Sequence, residues 1–200
     1  APVSLLLPTN PTIQSLIPSF LAPTLPSTSM RLAIQTITTE LLTFAQSHNP
    51  TLPHATLIPI LRGGLPMYLI AQTLFPSAPC VLVRCSKLKG TDTVTVDWLG
   101  RRPCSESIED GGILLLDTVI ASGDTLVRIC DEIFEANGGV PKVVTVLSCY
   151  VSPLGVQKVA KHPVVREVVV GWEAEGFDDK GLLVPYPGDV GDKLYGAAAK

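Results

Sequence analysis

Two hundred residues, 46% hydrophobic and 16% charged, suffice to bury a core without disulfides or metals. A net charge of −3 and a pI near 5.6 argue against nucleic acid as the main ligand, and no apolar run reaches the ~18 residues that cross a bilayer. The five cysteines (80, 85, 104, 130 and 149) lack CxxC spacing, which favours free thiols in a reducing, cytoplasmic compartment.

The whole chain, 1–200, reads as one domain. Residues 1–28 are rich in proline and predict an irregular arm, with Leu16, Ile17, Phe20 and Leu21 as its packing side. The leading VSLLL has no basic flank and is too short for a signal peptide. From Ser29 to Gln46, apolar residues Met30, Ile34, Ile37, Leu41 and Phe44 recur at helical spacing, and Ser27-Thr28-Ser29 offers an N-cap. Residues 56–61 predict a strand, the turn Arg62-Gly63-Gly64 follows, and a helix runs to about Phe75.

A short strand at Cys80–Arg84 precedes the polar KLKGTDT and the alternating VTVDW, a pattern that suits a hairpin or a loop over a site. Ile113–Leu116 is an apolar strand, Asp117–Gly123 a loop, and residues 124–136 an amphipathic helix stopped by Asn137-Gly138-Gly139. Val143–Tyr150 is a buried strand. Ser152-Pro153 supplies the cap and first residue of a helix, and Glu167–Gly171 forms a further strand. This alternation predicts an α/β fold, a mostly parallel twisted sheet with helices on both faces. His48, His54 and His162 read as surface or turn residues.

In such a sheet, ligands bind beyond the carboxyl ends of the strands. Asp117 stands there, and Ala121-Ser122-Gly123-Asp124-Thr125 opens the following helix, whose first N–H groups attract anions. Gly123 admits a ligand close to the backbone, and Ser122 and Thr125 add hydroxyls. The pattern suits a phosphate cradle with an acid placed for ribose hydroxyls. It equally fits a plain strand–turn–helix junction in which Ser122 caps the helix and Asp117 steadies the turn. No GK[ST] follows, so it is not a Walker loop.

LLLDTVIASGDT resembles the phosphoribosyl pyrophosphate (PRPP) signature of type I phosphoribosyltransferases: an apolar strand, acid, two apolar residues, then A-[TS]-G-x-[TS]. One acid followed by a non-acid, Asp117-Thr118, resembles the uracil branch. PILRGGL at residues 59–65 is similar to that branch's PILRAGL, and GLLVPYPGDVGDKLYG at 181–196 to its GYIVPGLGDAGDRLFG. The resemblance, from about residue 56 to the end, is to the uracil phosphoribosyltransferase family. It implies the type I fold with a small hood from the terminal segments, and the reaction uracil + PRPP → UMP + pyrophosphate. It also implies Mg²⁺ bound with PRPP and a homo-oligomer, commonly a dimer.

The resemblance implies roles residue by residue. Asp117 would hold the ribose hydroxyls, and Ala121, Ser122, Gly123, Asp124 and Thr125 the 5′-phosphate. Arg62 would face pyrophosphate with its guanidinium fork, although such an arginine alone reads as a surface or capping residue. Lys87 is the chosen basic residue of the closing loop, with Arg84 and Lys89 as the other candidates. Leu182, Leu183 and Gly188 would form the base pocket, and Asp189 would meet Mg²⁺ or PRPP. Asp192-Lys193 reads as a structural ion pair.

Three departures from the family pattern stand out. Asp124 replaces the usual loop glycine, placing a carboxylate beside a phosphate site. Leu182 replaces a tyrosine, and Tyr186-Pro187 replaces Gly-Leu. Arg31 is the only arginine or lysine before Arg62. These departures motivate two alternatives: the same fold re-used for another small ligand, or a non-catalytic nucleotide-sensing regulator.

Overall fold

The computed structural model describes residues 4–6, 9–22, 24–87, 93–104 and 111–196. A seven-stranded sheet organises it. In chain order its strands are β1 (Ser4–Leu6), β2 (Thr56–Leu61), β3 (Leu82–Lys87), β4 (Val94–Leu99), β5 (Ile113–Ile120), β6 (Val144–Val151) and β7 (Val165–Glu173). Their spatial order is β1-β7-β6-β5-β2-β3-β4, with every neighbouring pair parallel except the antiparallel hairpin β3–β4.

Alternation along the central strands divides the core. Leu114 and Leu116 of β5 face a layer built from α1 (Pro11–Leu21), α2 (Ser27–His48), α3 (Leu65–Leu74) and α6 (Val190–Tyr195). Ile113 and Leu115 face α4 (Asp124–Ala136) and α5 (Pro153–Ala160). Both faces of the sheet are therefore covered, which is why β6 is buried along its whole length. A two-stranded piece, β8 (Gly176–Phe177) with β9 (Leu183–Val184), precedes α6. No helix among the described residues is long and apolar enough to cross a membrane.

Several expectations change. The proline-rich arm is not irregular: it contributes β1, which adds to the sheet edge at β7, and α1. Asn10 caps α1 by accepting from the Thr12 and Ile13 N–H groups, Pro11 takes the first position, and Pro18 lies on the exposed side. Burial of Ile13, Ile17 and Phe20 on the other side outweighs one interior proline. The α2 helix begins at Ser27 after Pro26, so Ser27-Thr28-Ser29 supplies no side-chain cap. The strand expected at Cys80–Arg84 runs later, as Leu82–Lys87, with Cys80 in an isolated bridge to Leu57.

The residues Asp117–Ile120, expected to be loop, continue β5. They pair with β6 as far as Ile120↔Val151, because β6 supplies a partner edge that long. The His162 side chain is 8% exposed and its Nε2 lies 3.1 Å from Asp131 Oδ1, so it is a buried, bonded residue at its turn.

Candidate active site

The site lies at the carboxyl ends of β2 and β5. Beyond β2 the chain turns sharply through Arg62-Gly63-Gly64 and presses on β5: a Cβ at Gly64 would stand 2.3 Å from the Leu116 carbonyl oxygen. That close approach brings the turn carrying Arg62 to the strand carrying Asp117. Arg62 and Asp117 line a cavity of about 430 Å³, together with Cys85, Tyr186, Gly188 and Asp189. The Leu61–Arg62 and Val184–Pro185 peptide bonds are cis.

A second, smaller cavity of about 120 Å³ adjoins it and is lined by Ala121, Ser122, Gly123 and Thr125. Asp117 and Val119 line both cavities. The smaller one lies at the N-terminus of α4, where a helix carries partial positive charge. The first helical bond of α4 runs from the Val127 N–H to the Gly123 carbonyl at 3.0 Å, so the N–H groups before it have no partner within the helix, and that of Asp124 donates to Ser122 Oγ at 3.4 Å. Gly123 has φ 80°, a left-handed conformation that a side chain would strain.

Asp117 stands between the two cavities with part of its surface open. Burial pushes its carboxyl up to about 7, although the Val119 and Thr118 backbones oppose the shift. Among the described residues it forms no ion pair; Arg62, which lines the same cavity, is paired with Asp192. Cys85 is also held up, to about 12, by burial and by Asp117 and Glu132, so its thiol stays protonated.

Asp124 turns the other way. It lines a third cavity, outside the cradle, with Arg128, Asp131 and Lys158. Lys158 bonds Asp124 Oδ1, while Oδ2 accepts from Ser122 Oγ at 2.7 Å and from Lys87 Nζ at 3.3 Å. Lys158, Ser122 and Lys87 together hold the carboxyl down at about 2. The Asp124 carboxylate thus lies outside the cradle. Lys87, at the end of β3, reaches the phosphate loop through it, and Trp98 of β4 donates to Glu132 Oε2 of α4 at 2.7 Å. Arg84 pairs across the hairpin with Asp97 at 2.6 Å, and Lys89 lies outside the described residues.

The opposite wall comes from the tail. Asp189 caps α6 by accepting from the Asp192 N–H at 2.8 Å. A Cβ on Gly191 would stand 3.2 Å from both Asp189 Oδ1 and Arg62 Nη2, so both side chains flank that glycine. Arg62 donates to Asp192 Oδ1 at 2.5 Å and to the Gly196 carbonyl at 3.0 Å. Asp192 is therefore the partner of Arg62, not of Lys193. Lys193 instead donates to the carbonyls of Pro187, at 2.5 Å, and Ala22, at 2.9 Å.

Gly188 lines the larger cavity, but Leu182 and Leu183 are not among its lining residues. Leu183 packs into the core. Both backbone polar groups of Leu182 already bond Asp178, at 2.8 Å each. Tyr186 takes that wall instead.

A family model for uracil phosphoribosyltransferase matches residues 13–197. The chain belongs to the uracil phosphoribosyltransferase family. It is 31% identical over 147 residues to the uracil phosphoribosyltransferase of Bifidobacterium longum subsp. infantis, covering 72% of this chain and 67% of that protein. With the uracil phosphoribosyltransferase of Acinetobacter baylyi it shares 30% over 146 residues, covering 72% and 66%. It thus spans about two thirds of those relatives' length.

Among solved structures, the AQ2163 protein from Aquifex aeolicus superposes with a TM-score of 0.80 over 98% of this chain and 100% of its own, at 20% identity. A hypoxanthine-guanine phosphoribosyltransferase from Bacillus anthracis gives 0.51 over 72% and 79%, at 16% identity. These likenesses concern the fold. No cluster of three or more His, Cys, Asp or Glu able to hold a metal occurs among the described residues. In this uracil phosphoribosyltransferase family member, a cation near Asp189 would need oxygens from a ligand.

Sequence reasoning overlooked Tyr150 and gave Lys193 a different partner. The Tyr150 hydroxyl donates to the Pro185 carbonyl at 2.8 Å, and Lys193 grips Pro187, so the loop carrying Tyr186 is held at both sides. Tyr150 sits in an apolar strand and Lys193 in a charged tail; neither position carries a local signal for a partner far along the chain.

Proposed function

We propose that this chain transfers the phosphoribosyl group of PRPP to uracil, releasing pyrophosphate and forming UMP. The observation that carries this reading is Asp117 standing between two adjoining cavities, one a phosphate-sized cradle and the other large enough for a base and a pyrophosphate. In this reading the 5′-phosphate lies on the N–H groups of Ala121–Thr125, with Asp124 facing away, and Asp117 orients the ribose hydroxyls. Arg62 faces the pyrophosphate, whose bond to the anomeric carbon breaks as the uracil N1 bond forms and N1 loses its proton. Positive charge develops on the ribose in the transition state, so positioning and charge stabilisation are the protein's tasks.

Lys87 belongs to the pyrophosphate side, and its bond to Asp124 holds the β3–β4 hairpin at the loop until substrate competes for it. The base rests against Tyr186 and Gly188, with Leu182 and Leu183 shaping the tail behind them. Asp189 meets Mg²⁺ carried by PRPP, a cation that would add charge stabilisation at the pyrophosphate oxygens. The five free cysteines support a reducing, cytoplasmic setting. A homodimer is part of the proposal, to be checked by sedimentation.

The deciding experiment measures UMP from uracil, PRPP and Mg²⁺, with other bases offered in parallel. No nucleotide from any base would overturn the reading. Tight PRPP binding would count against a fold re-used for another small ligand.

A further inference from the structure

One buried polar side chain next to the site has no part in the proposed chemistry. Ser152, at the junction of β6 and α5, is fully buried. Its hydroxyl donates to the Ala121 carbonyl at 2.5 Å and accepts from the Gly155 N–H at 2.7 Å. Its own N–H donates to the Ile120 carbonyl at 2.8 Å. Its single proton and an acceptor site are thus committed, and it does not line the cradle.

The Ala121 carbonyl and the Ser122 N–H belong to one trans peptide, in which the two groups point in opposite directions. A hydroxyl that draws the Ala121 carbonyl toward α5 therefore turns the Ser122 N–H the other way, toward the cradle. An anion is attracted by the N–H and repelled by the carbonyl, so the orientation of this one peptide changes the sign of the local field.

The α5 helix holds the same loop at two further points. A Cβ on Gly155 would lie 2.1 Å from the Ala121 oxygen, and one on Gly123 would lie 2.7 Å from the Gly155 oxygen, so the two backbones are in direct contact. Lys158 of α5 bonds Asp124 at the loop's far end.

We propose that Ser152 is a positioning residue: by fixing the Ala121–Ser122 peptide it makes the loop a phosphate acceptor rather than a mixed surface. The proposal rests on the PRPP reading of the cradle. Loss of the hydroxyl leaves a buried carbonyl without its partner, and turning that peptide toward the cavity is the way to resolve it.

The test uses the full chain as wild type, Ser152→Ala, Ser152→Thr and Gly155→Ala. Binding of inorganic phosphate and of PRPP is measured by calorimetry, steady-state constants for PRPP and uracil are measured separately, and melting temperature is recorded throughout. Ser152→Ala is expected to raise the phosphate Kd and the PRPP KM by about tenfold or more, the scale of one hydrogen bond to an ionised acceptor. The uracil KM is expected to stay within about threefold, because the base wall comes from the tail. Ser152→Thr, which keeps the hydroxyl, is expected to recover most of the affinity. Gly155→Ala, whose methyl would crowd both the same carbonyl and the Ser152 hydroxyl, is expected to repeat the loss.

A folded Ser152→Ala with unchanged phosphate Kd and PRPP KM overturns the inference. Equal losses for PRPP and uracil do so too, since they indicate general disruption. If Ser152→Ala does not fold, Gly155→Ala decides, and unchanged phosphate affinity in that variant overturns the inference. A wild-type protein that binds neither phosphate nor PRPP overturns the PRPP reading itself, a result distinct from all of these.

Discussion

Asp117, inside β5, and Asp124, at the start of α4, lie seven residues apart, and their surroundings treat them oppositely. Asp117, three residues before the end of the central strand β5, is crowded by protein and forms no ion pair among the described residues, and its carboxyl is pushed up to about 7. Asp124, at the helix start, is met by Lys158, Ser122 and Lys87 and is held down at about 2. The strand therefore keeps an acid whose ionisation is costly until a ligand or cation arrives. The helix start carries an acid already neutralised by its neighbours. The contrast separates a group poised for a ligand from one that fastens the loop to its surroundings.

The largest effect expected comes from removing the poised acid. Asp117→Asn is expected to lower kcat/KM for PRPP by about a hundredfold or more, on the scale of losing one group preorganised at the reacting sugar. Initial rates at varied PRPP check it, and a loss below threefold would put Asp117 outside the chemistry. Arg62→Lys tests the wall facing Asp117: without the planar fork, PRPP KM is expected to rise by about tenfold with little change in uracil KM.

The same acid predicts a pH trend in the absence of ligand. The folded carboxyl keeps its proton up to about 7 whereas the ordinary value is 3.8, so between those values the folded state binds more protons than the unfolded state. Stability from this group is therefore full below about pH 4 and is lost as pH rises through about 7. The loss is at most about 4 kcal/mol by the usual conversion. Asp117→Asn is expected to remove this slope and to melt above wild type at pH 8. An unchanged difference between the two proteins from pH 4 to pH 8 would contradict the burial argument.

The smallest effect belongs to Asp124. Its depressed value contributes stability that is present above about pH 4 and lost as pH falls toward 2, and solvent screening keeps that contribution small. Asp124→Asn is expected to shift melting temperature by only a few degrees at pH 7 and to change PRPP KM by less than about fivefold. A loss as large as that of Asp117→Asn would erase the distinction between the two acids.

The cradle was legible because its signals are local. An apolar strand, an acid, a glycine and two hydroxyl residues lie within a dozen positions, and the sheet rule supplies the place where a ligand belongs. The α4 helix came out with its bounds as read, since its apolar spacing and its Asn-Gly-Gly stop are both written in neighbouring residues. The tail was only partly legible. Its motif marked Gly188 and Asp189, which line the cavity, and also Leu182 and Leu183, which do not.

By itself, then, the sequence determined the α/β class and the family and pointed to several residues that line the two cavities, because each rests on short-range periodicity or a contiguous motif. Only the tertiary structure decided which way Asp124 turns, that Asp192 serves Arg62 rather than Lys193, and that the proline-rich arm forms a strand and a helix. Those outcomes depend on partners far apart in the chain, such as Lys158 for Asp124 and Arg62 for Asp192. A carboxylate's direction is set by the cation that folding brings to it, and spacing along the chain does not name that cation.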